Sequence, residues 1–376
     1  FISHAHFDHT SALLPLYFAG CQAPIVATAT TIDFLLVTLG IRKAEPLLKH
    51  LTPVRYGERL KIDKDSYITL INAGHIPGSA MALITRSDRR ILYTGDFCLR
   101  DHFPVKGSAD EVNIIGKIDT IIMDSSFADT KFKPDSVFYN TLCKECECTL
   151  LNKSNILIAA DPEMMSQNIF LSLHKYFSNH RRTKTPKPPV YIEQKAIEYM
   201  QVVRTRLEDL PREFQSRIQR ERDPFASVMR KTITRESDRH EALSKPSIII
   251  SGPSYDLSKF PILYFLPRIA SNEKNLLVLT GFGGRMVSER LSKEKKIKLH
   301  EKTITLKSKI FNHQYPNNVL AFHCDYRQLE LTLAKLRPER VIPFHATIPS
   351  LTKVFILSKK YHAELNLPRK KTEIYL

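Results

Sequence analysis

No run of about 18 uncharged apolar residues occurs in the 376 positions, which argues against a membrane-spanning helix. Disulfide spacing is absent too. The six cysteines (Cys21, Cys98, Cys143, Cys146, Cys148 and Cys324) are scattered, and such a chain reads as intracellular, cytoplasmic in a prokaryote and nuclear in a eukaryote. Cys143, Cys146 and Cys148 cluster, but no second CxxC or CxH pair supplies the fourth ligand of a structural zinc. The GxxxxGK[ST] pattern is missing, so a nucleotide triphosphatase is not supported. There is no signal peptide, and polar chemistry begins at His4, so the expectation is that a segment normally preceding it is missing.

The first nine residues, Phe1-Ile2-Ser3-His4-Ala5-His6-Phe7-Asp8-His9, hold three imidazoles and a carboxylate within six positions. Burying such a set is costly unless something pairs with it, and a metal ion is an economical partner. On an extended segment His4 and His6 share a face, while Asp8 and His9 begin a turn able to aim at a neighbouring ion. Two adjacent metals are implied. A His-rich terminus left over from a tag would have no matching ligands downstream, and this chain has them.

The length allows two to three domains. Lys and Arg total 56 against 39 Asp and Glu, a formal net charge of +17, which favours a polyanionic partner. In the first third, strands are expected over 67–73, 80–85, 90–94 and 120–123, and three of the four deliver His75, Asp96 or Asp124 at their ends. Polar groups gather where strands stop and loops turn side chains inward.

The middle of the chain alternates strands (155–159, 190–193, 246–250, 275–280) with helical stretches (163–177, 195–207, 261–269), joined in part by a basic, proline-rich connector at 181–189. Residues 204–239 carry nine arginines among acidic residues, Arg204, Arg206, Arg212, Arg217, Arg220, Arg222, Arg230, Arg235 and Arg239; they read either as a solvated surface or as contacts to a phosphate backbone. Gly281-Phe282-Gly283-Gly284-Arg285 is a candidate phosphate-holding loop. Near the end a strand is expected to finish at His323. A helix over 327–337 follows, with Leu329, Leu333 and Leu336 as one stripe, and then a strand over 340–344 ending at His345. One strand-helix-strand step puts both histidines on the same sheet edge.

HAHFDH at 4–9, AGHIPGSA at 73–80, YTGDF at 93–97, DSS at 124–126, FHCDY at 322–326 and His345 together resemble the metallo-β-lactamase-fold nucleases of the β-CASP type. They are most similar to that family's RNA-processing branch, the cleavage and polyadenylation endonuclease and its archaeal relatives. The resemblance implies an α/β fold, a metallo-β-lactamase αββα sandwich with an inserted β-CASP α/β domain. It divides the chain into residues 1–130 for the first part of the sandwich, without its opening strands, 131–315 for the insertion and 316–376 for the return. The SGPS turn at 251–254 and the segment around Gly281 would line the face that clamps nucleic acid.

The resemblance also implies a chemistry. Two zinc ions are expected, one held by His4, His6 and His75, the other by Asp8, His9 and His345, with Asp96 bridging. Hydroxide between them would attack phosphorus. His323 would donate a proton to the leaving oxygen or clamp the phosphate, with Asp124 orienting it; Asp8, His323 and Asp124 form the expected catalytic set. Histidine at 345, where the family's DNA-repair branch usually has valine, favours RNA.

The implied function is a zinc-dependent ribonuclease that cuts single-stranded RNA internally, from the 5′ end, or both, in RNA processing or decay. The alternatives are a catalytically weak RNA-binding subunit and a nuclease acting on DNA. A second copy of the chain or the subunits of a processing complex are the further partners expected, and a membrane is not. Two departures besides the missing opening strands are His345-Ala346-Thr347, where relatives often have His-Gly-Glu, and Ala160-Asp161-Pro162-Glu163, where relatives tend to be apolar and glycine-rich.

Overall fold

The computed structural model describes residues 1–102, 104–179, 183, 185–219, 223–254, 256–281, 294–299, 302–311, 320 and 322–367. The chain divides into two compact units, one formed by Phe1–Lys131, Arg206–Pro211 and Phe322–Leu376, the other by Phe132–Thr205 and Arg212–Ala321.

The first unit opens with strands β1 (Ile25–Ala27), β2 (Leu51–Pro53), β3 (Arg59–Lys61), β4 (Ser66–Asn72), β5 (Ala80–Arg86), β6 (Arg89–Tyr93) and β7 (Thr120–Asp124). The second unit contributes β8 (Ile156–Ala159), β9 (Val190–Glu193), β10 (Arg230–Ile233), β11 (Ile248–Ser251), β12 (Leu276–Leu279), β13 (Lys296–Leu299), β14 (Lys302–Thr305) and β15 (Lys309–Phe311). The chain then returns to the first unit with β16 (Arg340–Phe344) and β17 (Glu364–Leu365).

In the first unit a seven-stranded sheet runs β17-β16-β7-β6-β5-β4-β3, beside a two-stranded parallel sheet of β1 and β2. The period of two along β4 and β5 builds both faces. Ile68, Leu70, Ala80 and Ala82 point one way and pack with Val26 and Val54. Ile71, Met81 and Leu83 point the other way, into a core with Leu329, Leu333 and Leu336 of helix Tyr326–Leu336 and Val354 and Leu357 of helix Ile348–Lys360. Helix Ala29–Leu39, started by the Thr28 hydroxyl accepting from the Thr31 amide at 3.1 Å, packs on β2. The layers are therefore helix, small sheet, large sheet, helices: the αββα sandwich.

The second unit is built on a fully parallel six-stranded sheet in the order β10-β9-β11-β8-β12-β15. Strands β8, β9, β11 and β12 are buried at every position, as expected of parallel strands covered on both faces. Helix Ile262–Ala270 covers one face with Ile262, Phe265, Leu266 and Ile269. β13 and β14 form an antiparallel ribbon whose Ile297 and Leu299 join that core while Lys296 and Lys298 face solvent.

Two sequence expectations change here. The strand expected to finish at His323 is not seen among the described residues: Phe322 and His323 lie in a bend, and Asp325 bridges Phe127 and caps helix Tyr326–Leu336 through the Gln328 amide at 3.1 Å. Val319 and Ala321 lie outside the described residues. The local apolar run reads as a strand, but Phe322 is buried against the His102 ring and Cys324 within the core that holds Leu329, Leu333 and Leu336. The arginine-rich segment also differs. Arg204 pairs with Asp223 at 2.7 Å, Arg206 with Asp33 at 2.6 Å and Arg239 with Glu193 at 2.7 Å, so these three guanidinium groups are engaged within the protein. The side chains of Arg217, Arg220 and Arg222, the connector residues 180–182 and 184, and residues 282–285 of the glycine-rich loop lie outside the described residues.

Candidate metal centre and active site

Because β4, β6, β7 and β16 all run in the same direction, their C-terminal ends lie along one edge of the large sheet. These ends supply Gly74-His75, Gly95-Asp96, Asp124 and His345. Residues 1–6 reach the same edge by threading between sheets: the Ile2 amide donates to the Val26 carbonyl at 2.9 Å and the Ala80 amide to the Ser3 carbonyl at 2.8 Å. That close passage requires Gly95, whose φ is +51° and where an added Cβ would lie 2.5 Å from the Ser3 Cβ. His345 adopts φ +55°, a left-handed conformation rare outside glycine and frequent at functional sites.

Side chains converge accordingly. His4 Nε2 lies 3.0 Å from His6 Nδ1, and His75 Nε2 lies 3.1 Å from the same atom. Asp96 Oδ2 is 3.5 Å from His4 Nε2 and 3.8 Å from His75 Nε2. The other oxygen, Oδ1, faces a second group, 3.4 Å from His9 Nε2 and 3.2 Å from His345 Nδ1. Asp8 Oδ2 completes that group at 3.7 Å from both His9 Nε2 and His345 Nε2. His4, His6, His75 and Asp96 thus form one possible ligand set and Asp8, His9 and His345 another, with the Asp96 carboxylate split between them.

These residues fit divalent ions. A tetrahedral zinc with bonds of about 2.1 Å sets its ligands about 3.4 Å apart, close to the separations just given. Burial is the largest influence on His4 and His75 and, with the neighbouring imidazoles, holds both well below the usual histidine range, so they are neutral and have a lone pair to offer. His75 Nδ1–H donates to the Phe322 carbonyl at 2.6 Å, which leaves Nε2 as the free lone pair facing His6 and Asp96. Burial works to raise the Asp96 pKa, but contacts from His345 and His9 outweigh it and hold the carboxyl well below the usual range. Asp96 Oδ1 and His9 Nε2 are both buried without a well-formed hydrogen bond, an arrangement that a cation between them would satisfy.

Beside this lies a second polar pair. His323 Nδ1 donates to Asp124 Oδ2 at 2.7 Å. Asp124 is 1% exposed, and its other oxygen accepts from the Ser126 amide at 3.0 Å and hydroxyl at 2.6 Å. Burial disfavours the charged imidazole, yet the Asp124 charge and hydrogen bond, with Asp96 and Asp8, overcome it and raise the His323 pKa to about 9. The His323 ring centroid is 4.7 Å from that of His75, so this proton-bearing group adjoins the first ligand set.

All nine site residues expected from the sequence therefore meet at one sheet edge. Sequence reasoning missed the groups that hold them. Ser3 Oγ lies 3.1 Å from His4 Nδ1 and 3.4 Å from His9 Nδ1, Thr94 Oγ1 accepts from the Asp124 amide at 3.1 Å, and His102 supports the loop before His75. Ser126 was legible, since aspartate two residues before serine is a common local hydrogen-bonding turn. The departures have structural roles as well: Thr347 caps helix Ile348–Lys360, and Asp161 accepts from the Ser254 amide at 2.8 Å and hydroxyl at 2.6 Å. Cys143 and Cys146 are buried on helix Asp135–Leu151 and Cys148 is exposed; they belong to none of the possible metal-ligand groups among the described residues.

A profile of the Beta-Casp domain matches residues 166–286, inside the second unit. The chain is 27% identical over 368 residues to a protein named Probable RNase MJ4 from Methanocaldococcus jannaschii, covering 92% of this chain and 80% of that one. It is also 27% identical over 373 residues to Transcription termination factor FttA from Methanothermobacter thermautotrophicus, covering 92% of this chain and 57% of that protein. With Ribonuclease TTHA0252 from Thermus thermophilus it shares 25% identity over 297 residues, 75% of this chain and 66% of the relative. Together with the His/Asp clusters these likenesses support a nuclease role. With the αββα sandwich, the parallel-sheet unit carrying the Beta-Casp match and the strand-end histidines all in place, the chain resembles the metallo-β-lactamase-fold β-CASP nucleases, most like their RNA-processing branch.

Proposed function

We propose that the protein is a zinc-dependent ribonuclease that hydrolyses phosphodiester bonds of single-stranded RNA. The observation that carries this reading is the Asp96 carboxylate, with one oxygen toward His4 and His75 and the other toward His9 and His345. In this reading His4, His6 and His75 hold one ion, Asp8, His9 and His345 hold the other, and Asp96 bridges them. Bound zinc supplies Lewis-acid activation of water and of the phosphoryl group.

The chain's own groups do the rest. Asp96, kept ionised, holds negative charge between the two sets, and Ser3 fixes the rings of His4 and His9. His323 is charged at neutral pH because Asp124 stabilises its imidazolium. Its ring either gives a proton to the leaving oxygen or binds a phosphate oxygen, while Asp124, tied by Ser126, fixes the ring's orientation.

RNA as substrate rests on His345, the formal net charge of +17 and the names of the relatives. With several arginines of 204–239 engaged in ion pairs, exposed Lys295, Lys296, Lys298 and Lys307 around the β13–β14 ribbon are the better phosphate-facing charges. The test is labelled single-stranded RNA and DNA, each with free and blocked 5′ ends, incubated with the zinc-loaded protein after its metal content is measured. Metal-dependent cleavage of RNA is expected. Cleavage of DNA alone points to the DNA branch, and zinc-loaded protein that binds RNA without cutting it points to a partner subunit.

A further inference from the structure

His102 follows Asp96 by six residues and has no place in the chemistry above, yet it is 4% exposed and lies against two loops that the site depends on. Its Nε2–H donates to the Gly74 carbonyl at 2.8 Å, immediately before His75. Its ring stacks on that of Phe322, with centroids 4.1 Å apart and planes 11° apart, immediately before His323. The Phe322 carbonyl in turn accepts from His75 Nδ1 at 2.6 Å. These contacts close a ring of groups: Gly74, His102, Phe322 and His75, then back along the chain to Gly74.

We propose that His102 is a positioning residue that sets the ring orientation of His75 toward the metal and fixes the start of the His323 loop. The inference rests on the reading of His75 as a metal ligand. A ligand imidazole acts well only when its second nitrogen is held, and here the Phe322 carbonyl holds it. That carbonyl has no regular strand to fix it, because Phe322 lies in a bend. The stacked His102 ring fixes it instead, while the hydrogen bond to Gly74 fixes the other end of the same unit. Gly74 itself leaves no slack: its φ is +69°, and an added Cβ would lie 2.4 Å from the Cys98 carbonyl oxygen and 2.7 Å from the Ser108 amide nitrogen.

The identity of the residue supports this assignment over a packing role. A carbonyl only accepts, so His102 carries its proton on Nε2 and presents Nδ1 as a lone pair, and Nδ1 is buried with no hydrogen-bond partner among the described residues. Burial drives the pKa down to about 3, so the ring stays neutral through the physiological range. Phenylalanine would keep the stack and remove the unsatisfied nitrogen, so packing alone would favour it. What it would lose is the donor to Gly74.

The test compares wild type, His102→Phe and His102→Gln by the thermal midpoint of metal-free protein and by zinc affinity from chelator competition. Loss of an outer hydrogen-bond partner typically weakens metal binding by about 10- to 100-fold. His102→Phe is expected to keep or raise the metal-free midpoint and to bind its first-lost zinc at least about tenfold more weakly. His102→Gln, which restores a donor at the same reach but not the ring stack, is expected to recover part of that loss. Unchanged zinc affinity in folded His102→Phe overturns the proposal. Should that variant fail to fold, Phe322→Leu removes the stack from the opposite ring, and unchanged zinc affinity in it overturns the proposal equally. Wild-type protein that takes up no zinc sinks the metal reading and this inference together, whereas zinc-binding wild type with unaffected variants sinks this inference alone.

Discussion

Replacing Asp124 with asparagine separates the charge that Asp124 places beside His323 from the space it fills. The substitution is nearly isosteric, and an amide oxygen turned toward His323 can still accept from Nδ1–H, so the 2.7 Å contact need not be lost, while the amide NH2 then faces the Ser126 hydroxyl and donates to it. What disappears is the negative charge that, against the cost of burial, raises the His323 pKa to about 9. Hydrogen bonds to a charged partner contribute about 1.5–3 kcal/mol, roughly twice a neutral one. If half or more of that is realised only as the imidazole acts, the rate falls by about 4- to 160-fold. The sign in pH is fixed by the role. A proton donor must be protonated, so activity is lost as pH rises through the His323 pKa, and without the Asp124 charge that limb moves to lower pH. The assay is single-turnover cleavage of end-labelled RNA by zinc-loaded wild type and Asp124→Asn across about pH 6 to 10, with zinc stoichiometry as the control. An unchanged rate and an unmoved alkaline limb at equal zinc content would refute the assignment of this pair.

Asp96→Ala should lower metal uptake at both ligand sets at once, because one carboxylate faces both; elemental analysis that shows one full site would contradict a bridging role. Lys296→Glu with Lys298→Glu should weaken RNA binding most at low salt and flatten its salt dependence, measured by titration at several salt concentrations; equal slopes would remove the β13–β14 ribbon from the binding surface. Burial raises the Glu193 pKa to about 7 despite the Arg239 ion pair, so the folded protein holds a proton that the unfolded chain releases near its ordinary pKa of 4.5. Stability is therefore predicted to fall as pH rises from about 4.5 to about 7, by of order 1–3 kcal/mol, and a Glu193→Gln variant whose thermal midpoint keeps the wild-type slope across that window would refute it. Gly95→Ala should destabilise by about 1–3 kcal/mol, because its Cβ would meet Ser3 and its φ is left-handed; an unchanged midpoint would contradict this.

The strands that end at the candidate ligands were legible because each combines an apolar run with an abrupt polar stop. Ser66–Asn72 before Gly74-His75, Arg89–Tyr93 before Gly95-Asp96 and Arg340–Phe344 before His345 lie within a residue or two of expectation at each end. The stripe of Leu329, Leu333 and Leu336 was equally plain, since helical spacing survives whatever the helix packs on. Short edge strands were not. Arg59–Lys61 and Lys296–Leu299 are lysine- and arginine-rich, short, and paired only with the strand that follows each in the chain, so little in their composition distinguishes them from loop. His323 shows the opposite failure, a locally strand-like run that ends in a bend, with Phe322 stacked on His102 and Cys324 in the core of the first unit. The site follows the same division. The candidate ligands stand out in the sequence, because the chemistry of holding an ion restricts such sets to a few side chains. The supports are backbone carbonyls, a serine, a threonine and a stacked histidine, and many residues can fill such roles. Only the arrangement of loops at the sheet edge makes Ser3, Thr94 and His102 the ones that do.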